Sequence, residues 1–360
     1  MNFHTRCDKF SLFCFIITVM LFLPARELFA QEPAAAFSMG GAIEVEAGYI
    51  DIDPNNDTSI LDINLATVEL AFTRSIGNYS SVHLVFLREE NATDKNFHVD
   101  EAALTMLDPL FNFPVYLTIG KTYLPFGIFT TNFITDPYTK KFGQIKEAGG
   151  VLVYNFEKMN LGLSAFKENE LDLIESEERI VDYIVNLNVN NAGALPLSFG
   201  ISYLSHISDT NGLQYCFSEK IVENHVSGIN LYVDAQMGHL SCNAEFIGAL
   251  DFIDYLYYID SNDTNTLAKA QIEPYALNIE LCLLTLSEQF LSGIKFEKCK
   301  YAKNQIIIQE YRYGAILSYA LFEKTILGLE YLYEKRTYTN SLFDDDHQAH
   351  RITAQLAVLF

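Results

Sequence analysis

The densest group of side chains that could bind a solute lies in one stretch, residues 117–150. A strand-like alternation ends there at Pro125 and Gly127, and about twenty residues follow without a regular period; loops of this length inside an ordered domain are uncommon and usually functional. Hydroxyl, amide, carboxylate and ammonium groups in such a loop can hydrogen-bond a polar solute and set a local field. The candidate binding residues are Lys121, Tyr123, Thr130, Thr131, Asn132, Asp136, Lys140, Lys141 and Lys146.

A calcium-like spacing occurs nearer the N-terminus. Residues 51–57 read D-I-D-P-N-N-D and place oxygen atoms at alternate positions, with Asp62 in the twelfth position. Oxygen ligands at this spacing suit calcium. Asn56, however, occupies the position where the tight turn of a calcium loop requires Gly, so we interpret the segment as a solvated polar loop. No metal site and no cofactor are predicted.

An Asp–His pattern precedes the last predicted strand, at Asp344-Asp345-Asp346-His347. An Asp paired with a His can activate water, as in outer-membrane proteases. No second acidic pair accompanies this run, and the sequence contains neither G-x-S-x-G nor H-E-x-x-H. We therefore predict no catalytic residue and no enzymatic activity. The acidic run 168–178 is interpreted as a solvated loop.

The cysteines after residue 30 are Cys216, Cys242, Cys282 and Cys299. They are widely separated and form no C-x-x-C motif, which argues against zinc ligation by thiolates. Disulfides would form in a secreted protein. Free thiols acting as small packing residues are the equal alternative, and the sequence leaves the choice open.

Period-two alternation is the dominant pattern from residue 38 onward. One strand of this kind also fits a soluble sandwich, so the number and length of the segments must decide. Most are longer than the five or six residues of soluble strands and reach the 9–11 residues that a tilted membrane strand requires. The sixteen predicted strands are 38–52, 59–76, 79–90, 97–107, 113–123, 147–156, 159–168, 178–190, 197–207, 225–236, 239–250, 266–280, 290–299, 305–321, 324–336 and 348–360.

The connections between these strands alternate in length. Those after even-numbered strands are mostly short turns, whereas those after odd-numbered strands are longer on average and include the long loop, residues 124–146. Short periplasmic turns, long outer loops and an even strand number characterise outer-membrane barrels. The predicted fold is therefore all-β, a transmembrane antiparallel β-barrel of about sixteen strands. Its last strand ends on Phe360, which resembles the C-terminal signal read by the barrel-assembly machinery.

The second predicted strand contains a phase slip. Its apolar residues fall on one parity over 61–65 and on the other over 68–72. A β-bulge near Ala66 and Thr67 would keep both sets on the same face.

The N-terminus predicts a secretory signal over residues 1–30. Arg6 and Lys9 precede an apolar run, and small residues end at Ala30. Residues 31–37 form a short periplasmic lead, and 38–360 form one barrel domain. The formal net charge of −22 argues against a nucleic-acid partner, because such proteins present basic patches.

If the apolar faces contact lipid, the opposite faces line the lumen. A sixteen-stranded barrel leaves an aqueous channel unless something narrows it, and the long loop is the candidate constriction. The predicted lumen-lining residues include Glu44, Glu46, Asp62, Asn64, Glu69, Glu101, Asp182, Asn186, Asn188, Asn230, Asp234, Glu245, Lys269, Gln271, Glu273, Lys295, Glu297, Arg312, Glu330, Glu334, Arg336 and Arg351.

Four runs carry a family resemblance: E-V-E-A-G-Y at 44–49, D-I-N-L-A-T-V-E-L at 62–70, V-D-E-A at 99–102, and L-T-I-G-K-T-Y-L-P-F-G-I-F-T-T-N-F-I-T-D-P at 117–137. Together they resemble the LbtU-type siderophore porins over residues 38–167. The resemblance implies a plug-less outer-membrane barrel that takes up a ferric siderophore.

The predicted function is uptake of a ferric siderophore, or a similar small polar solute, by diffusion through a polar lumen narrowed by the long loop. A general or cation-preferring porin is the alternative, and an outer-loop adhesin or barrel protease is a third. An acidic lumen repels an anionic chelate, so the loop lysines form the path, the cargo is neutral or cationic, or the solute is a different one. The expected partners are outer-membrane lipid, lipopolysaccharide, the barrel-assembly machinery through Phe360, and two further copies in a homotrimer.

Overall fold

A computed structural model describes most of the chain after residue 36. The described residues are 37–52, 58–90, 96–107, 114–167, 181–191, 196–217, 221–261, 264–285, 289–303, 306–339 and 344–360. The predicted signal, nearly all of the predicted lead, the centre of the calcium-like segment and the acidic run 168–178 lie outside these residues. Among the described helices, none has the length and apolar character needed to cross a membrane.

Strands dominate the described structure. They are β1 (Phe37–Ile52), β2 (Thr58–Ile76), β3 (Ser80–Glu89), β4 (His98–Leu107), β5 (Val115–Tyr123), β6 (Lys146–Asn155), β7 (Met159–Phe166), β8 (Asp182–Asn191), β9 (Leu197–Leu204), β10 (Ile221–Val222), β11 (Gly228–Met237), β12 (Leu240–Ala249), β13 (Ile253–Ser261), β14 (Thr264–Ile272), β15 (Tyr275–Thr285), β16 (Phe290–Lys303), β17 (Ile306–Phe322), β18 (Thr325–Thr339) and β19 (Asp344–Leu359). The helices are α1 (Tyr138–Gly143) and α2 (Asn211–Phe217), with a 3-10 turn at Ile207–Asp209.

Sixteen of these strands form a closed antiparallel barrel, which confirms the predicted fold class. The ring runs through β1 to β9, β11, β12 and β15 to β19, and β1 closes it by pairing with β19. Fifteen of the sixteen predicted strands coincide with a barrel strand to within a few residues. Because every strand is paired on both sides, the barrel has no open edge, which is the condition for spanning a lipid bilayer.

The predicted twelfth strand, 266–280, is wrong. It joins β14, which lies outside the barrel, to the beginning of the true barrel strand β15, and Pro274 separates the two. Strands β10, β13 and β14 form a separate three-stranded sheet. The side chain of Lys269 therefore does not line the lumen; its Nζ lies 2.7 Å from Glu223 and 3.0 Å from Asp254.

The phase slip in the second strand is a β-bulge, as predicted, one residue earlier than expected. Glu44 pairs with Thr67, whereas Glu46 pairs with Asn64, so Leu65 and Ala66 together oppose a single residue of β1. The apolar sets on either side of the bulge share one face because each pairs with outward residues of β1, Leu61 with Tyr49 and Val68 with Ile43.

The two faces of the barrel differ as a membrane requires. Along β15, Ile279, Leu281 and Leu283 are exposed on the outside, while Asn278 and Glu280, which alternate with them, are buried on the inside. Since successive strand residues point to opposite faces, the apolar set contacts lipid and the polar set faces the interior.

A cap covers part of one end of the barrel. It consists of the described residues within 205–227, which carry α2 and β10, and within 250–274, which carry β13 and β14. Its core is apolar: Leu213, Phe217, Val222 and Tyr255 are buried in one cluster, and the rings of Phe217 and Tyr255 lie 5.5 Å apart. The cap leaves from the same rim as the long loop, because alternate connections of an antiparallel barrel lie at the same end.

The structure also bears on two local predictions, the Asp–His run at 344–347 and the state of the cysteines. Residues 344–347 belong to β19 rather than to a loop, and Asp344 pairs with Thr339. None of the four described cysteines forms a disulfide. Cys282 and Cys299 are buried and pack as small side chains.

Candidate functional site

The long loop crosses the inside of the barrel. It begins after β5 and ends where β6 begins, yet its residues hydrogen-bond to β12, β15, β16 and β18. In the ring order, β16 and β17 lie opposite β5 and β6. Only a path through the interior lets a single segment reach the far wall from both of its ends.

Two carboxylates on the far wall hold the first half of the long loop, and one of them also binds α1. Glu245 accepts hydrogen bonds from the backbone N–H of Ile128 at 3.0 Å and from the Thr139 hydroxyl at 2.9 Å. Glu280 accepts from the Thr131 hydroxyl at 2.6 Å and from the backbone N–H of Asn132 at 3.0 Å. Each carboxylate satisfies two donors of the loop, and hydrogen bonds to a charged acceptor are stronger than neutral ones.

Two further carboxylates hold the second half. Glu330 accepts from the Thr135 hydroxyl at 2.5 Å and from the Thr135 backbone N–H at 3.2 Å. Glu297 accepts from the backbone N–H of Tyr138 at 2.7 Å, at the start of α1. We call Glu245, Glu280, Glu297 and Glu330 the anchoring wall; each is at most 2% exposed.

Cations balance the charge of the anchoring wall. Arg312 Nη1 lies 3.0 Å from Glu297 and Arg312 Nε lies 3.0 Å from Glu334. The same guanidinium stacks 4.1 Å from the centre of the Tyr138 ring and donates to the Asp136 carbonyl at 3.3 Å. Lys295 lies 3.3 Å from Glu297 and donates to the Thr135 carbonyl at 3.1 Å. The wall and the loop therefore form one buried polar network.

The wall also makes steric room for the loop. Gly314 faces inward beside Phe133, and a Cβ at Gly314 would lie 2.8 Å from Leu332 and Lys295 and 3.1 Å from the Phe133 ring. Within the loop, Phe129 adopts a φ of 48°, a backbone conformation that is uncommon for a large side chain. The loop thus has a defined path whose anchors outweigh a local backbone cost.

The structure separates the nine predicted binding residues into groups. Thr131 and Asn132 are bound to Glu280, and Thr130 accepts a hydrogen bond from the Asn243 amide at 2.5 Å. Asp136 and Lys140 form an exposed ion pair at 2.9 Å. Lys141 is exposed, and its Nζ lies 5.8 Å from the centre of the Tyr138 ring.

Tyr123 and Lys146 meet at the base of the long loop. The Tyr123 hydroxyl donates to Asp100 Oδ2 at 3.0 Å, and Lys146 Nζ forms an ion pair with Asp100 Oδ1. Asp100 is buried, so these two groups compensate its charge. The ammonium group of Lys146 is therefore held at the barrel wall by Asp100.

Lys121 lies two residues before Tyr123, which pairs with Lys146, so these three candidates share one face of β5 and β6. Lys121 pairs with Ala102, on the face that carries Leu104 and Ile119, whose side chains are exposed outward. Its Nζ donates to the Val99 carbonyl at 3.1 Å. The prediction placed it in the constriction; strand alternation instead directs it away from the lumen.

The predicted lumen residues divide in the same way. Arg312 and Glu330 belong to the anchoring network, while Asp62, Asn64 and Arg351 border the other half of the interior. We call Glu44, Glu46, Glu69 and Glu101 the open wall, because they lie on β1, β2 and β4, are only half-buried and contact no residue of the long loop among the described hydrogen bonds. Glu101 accepts from Thr122, in β5, at 2.7 Å, and Glu46 from Gln355, in β19, at 2.9 Å.

Several anchoring residues were missed. Glu280 fell at the end of the mistaken twelfth strand, although the alternation of Asn278 and Glu280 with Ile279 and Leu281 contains the signal. Thr135 and Thr139 carry no pattern of their own, because their partners lie more than 100 residues away in sequence. Such contacts are visible only once the barrel is closed.

Solved structures of similar fold are outer-membrane channels. The DcaP channel of Acinetobacter baumannii is 16% identical with a TM-score of 0.60, over 94% of this chain and all of that one. The anion-selective porin of Comamonas acidovorans is 10% identical with a TM-score of 0.61, over 91% of this chain and 100% of that one. OprB of Pseudomonas putida is 9% identical with a TM-score of 0.61, over 91% of this chain and 94% of that one. The chain has the porin fold. Its closed barrel and apolar outer surface place it in the bacterial outer membrane.

Sequence comparison adds less. No family model matches the chain. A UPF0422 protein of Coxiella burnetii is 24% identical over 250 residues, which is 67% of this chain and 52% of that protein. The chain thus spans about half the length of this curated relative, and the resemblance to siderophore porins stays a hypothesis.

Proposed function

We propose that the chain is a diffusion porin without enzymatic activity, and that its solute path follows the open wall. One observation carries the proposal. The long loop is fastened to the anchoring wall across the interior, whereas the carboxylates of the open wall remain half-buried beside it. A barrel of sixteen strands is wide enough to hold water, so the loop narrows the interior.

The charge of the path favours neutral or cationic solutes. The open wall presents four glutamates with Asp62, and Arg351 is the cation at its edge, with a side chain 34% exposed. Rings of acidic side chains favour cations in channels. Of the three loop lysines, Lys140 is paired with Asp136 and Lys146 with Asp100, which leaves Lys141 as the principal cation of the loop.

The resemblance to siderophore porins supports a more specific cargo, a ferric siderophore. With an acidic path, that chelate would be neutral or cationic, because an anionic chelate meets a repulsive field. A general cation-preferring porin is the second candidate, and the excess of acidic side chains on the open wall favours it.

Planar-bilayer recordings separate these possibilities. We expect discrete single-channel steps and a zero-current potential of cation-selective sign in a salt gradient. A cationic ferric siderophore should then block the current at micromolar concentration, and an anionic one should not. Block by neither chelate favours the general porin, and the absence of any conductance contradicts both. Iron-limited growth on the same siderophores, with and without the gene, tests uptake in the cell.

Assembly partners are part of the proposal. The in-vitro folded OmpT of Vibrio cholerae, with a TM-score of 0.54 at 12% identity, is described in a trimer form, and we propose a homotrimer for this chain. Phe360 exchanges two backbone hydrogen bonds of 3.1 Å with Gly41 and is the proposed contact for the barrel-assembly machinery. Lipid and lipopolysaccharide would surround the exposed apolar face.

A further inference from the structure

A buried cluster of histidine and aspartate side chains lies under the cap, away from the solute path. Asp182 begins β8, His206 and Asp209 follow β9, and His225 precedes β11. Asp182, His206 and Asp209 are each at most 2% exposed. One ligand atom of each lies within 4.8 Å of the others. The sequence contains no motif at these positions, and no metal site was predicted there.

Two distances from His206 to potential ligand atoms match those of a metal centre. His206 Nδ1 lies 3.6 Å from Asp209 Oδ1 and 3.4 Å from His225 Nδ1. Zinc–nitrogen and zinc–oxygen bonds of about 2.1 Å in a tetrahedron place neighbouring ligand atoms about 3.4 Å apart. Two imidazoles and two carboxylates form a donor set that suits first-row divalent metals rather than calcium or magnesium.

Asp182 provides a second, independent observation. Its Oδ1 accepts a hydrogen bond of 2.6 Å from the Ser205 hydroxyl, which orients the carboxylate as an outer-shell group does around a metal. Its Oδ2 is buried and accepts no hydrogen bond from an N–H or hydroxyl donor in the described part of the chain, and its carboxyl group adjoins that of Asp209. Two adjoining buried carboxylates repel each other unless a proton or a cation lies between them.

Backbone hydrogen bonds bring Asp182, His206 and His225 together before any metal binds. The Ile207 N–H donates to the Val226 carbonyl at 2.8 Å, which sets His206 beside His225, and the Ser205 N–H donates to the Tyr183 carbonyl at 3.0 Å, which sets His206 beside Asp182. The two imidazole rings lie 4.5 Å apart. The site is thus formed by the fold.

We propose that Asp182, His206, Asp209 and His225 bind one divalent transition-metal ion of the zinc class. The ion would connect residues 205–227 of the cap to the start of β8. It would also steady the base of the long loop, because Asn211 in the same segment donates to the Gln144 carbonyl at 2.9 Å and accepts from the Lys146 N–H at 2.9 Å.

The test uses the full chain, purified from outer membranes in detergent, stripped with a chelator and dialysed. Titration with Co²⁺ should produce the visible absorption of a four-coordinate site at one ion per chain, and Zn²⁺ should displace it. Zn²⁺ should also raise the melting temperature. The proposal is overturned if the absorption band is absent and the melting temperature is unchanged. It is also overturned if millimolar Ca²⁺ displaces Co²⁺ as effectively as Zn²⁺ does.

Ligand variants locate the ion. His206→Gln and Asp209→Asn should each weaken Co²⁺ affinity at least about 10-fold, since even outer-shell losses cost 10–100-fold. His239→Gln, in the exposed turn between β11 and β12, is the matched control and should bind as the parent does. Should the buried variants fail to fold, as judged by heat-modified gel mobility, His225→Gln at the half-buried position gives the same test. Unchanged affinity in a folded ligand variant overturns the assignment.

Discussion

Two walls of the same barrel carry the same kind of residue and use it differently. Both place glutamates on the inward face of barrel strands. On one wall the carboxylates accept hydrogen bonds from the long loop and are at most 2% exposed; on the other they are half-buried along the remaining lumen. The comparison is between Glu245, Glu280, Glu297 and Glu330 of the anchoring wall and Glu44, Glu46, Glu69 and Glu101 of the open wall.

The difference teaches that the negative charge of this lumen serves two purposes. A buried carboxylate needs donors or cations to compensate its lost hydration, and the long loop provides backbone N–H groups and threonine hydroxyls for that need. The anchoring wall is therefore a structural acceptor surface with little charge left for a passing ion. The open wall retains its field, so we expect selectivity to depend mainly on it.

The largest predicted effect comes from removing the cation behind the anchoring wall. Arg312→Met leaves Glu297 and Glu334 buried without their shared partner, and breaking a buried ion pair from one side costs about 3–5 kcal/mol. We expect the variant to unfold at lower urea concentration and its single-channel conductance to rise, because the long loop loses its contacts with the guanidinium.

Arg336→Met is the control for that experiment. Arg336 also pairs with a glutamate, Glu310 at 2.5 Å, but its side chain is 44% exposed and the described structure shows no contact between it and the long loop. It should be less destabilising and leave the conductance unchanged. Equal conductance in the Arg312 variant and the parent would contradict the role of the network in holding the loop.

A smaller effect is expected for one hydrogen bond between the loop and the anchoring wall. Thr135→Val removes the hydroxyl that donates to Glu330 at 2.5 Å, and a hydrogen bond to a charged group contributes about 1.5–3 kcal/mol. Thr130→Val removes an acceptor for the neutral Asn243 amide, worth about 0.5–1.5 kcal/mol. Open-channel noise and urea unfolding should therefore rank the Thr135 variant as the more disturbed; the reverse order would weaken the comparison.

Selectivity gives the next test of the difference between the walls. A unit charge about 8 Å from an ion in water contributes about 0.5 kcal/mol, so the triple variant Glu44→Gln, Glu46→Gln and Glu69→Gln should lower cation preference several-fold. Glu280→Gln should leave the zero-current potential nearly unchanged, because that carboxylate is 1% exposed. A larger shift from Glu280→Gln than from the triple variant would mean that the solute path follows the other wall.

Most of the barrel could be predicted from the sequence because period-two alternation is a local signal. Even the bulge in β2 was visible, since apolar residues that change parity over 61–72 can stay on one face only if the strand holds an extra residue. The error in the twelfth strand has a physical reason. The hairpin β13–β14 alternates as barrel strands do, because its sheet also packs one face on an apolar core, which the cap shares with the long loop and the adjoining barrel wall.

The site was less predictable because its contacts are non-local. The sequence identified the long loop and its polar residues, but it could not show which carboxylates would hold them. Thr131 and Glu280 are 149 residues apart, and Thr135 and Glu330 are 195 apart. The error at Lys121 has a local cause. The prediction relied on the position of Lys121 next to the loop in sequence and disregarded the strand alternation that directs its side chain outward.

The smallest predicted effect concerns the exposed ion pair on the lumen side of the long loop. Asp136 and Lys140 are 49% and 36% exposed, and exposed pairs contribute about 0.2–1 kcal/mol. Asp136→Asn keeps the backbone carbonyl that accepts from Arg312, so the anchor survives while Lys140 loses its counter-charge. We expect unfolding to change by no more than that amount, and the zero-current potential to move slightly toward anions at low salt. In 1 M salt, where charges are screened within about 3 Å, the potential should return to the parental value. A shift that persists at this salt concentration would show that Asp136 lies where the solute path excludes water and salt. Asp136 would then have to be counted with the open wall as a determinant of selectivity.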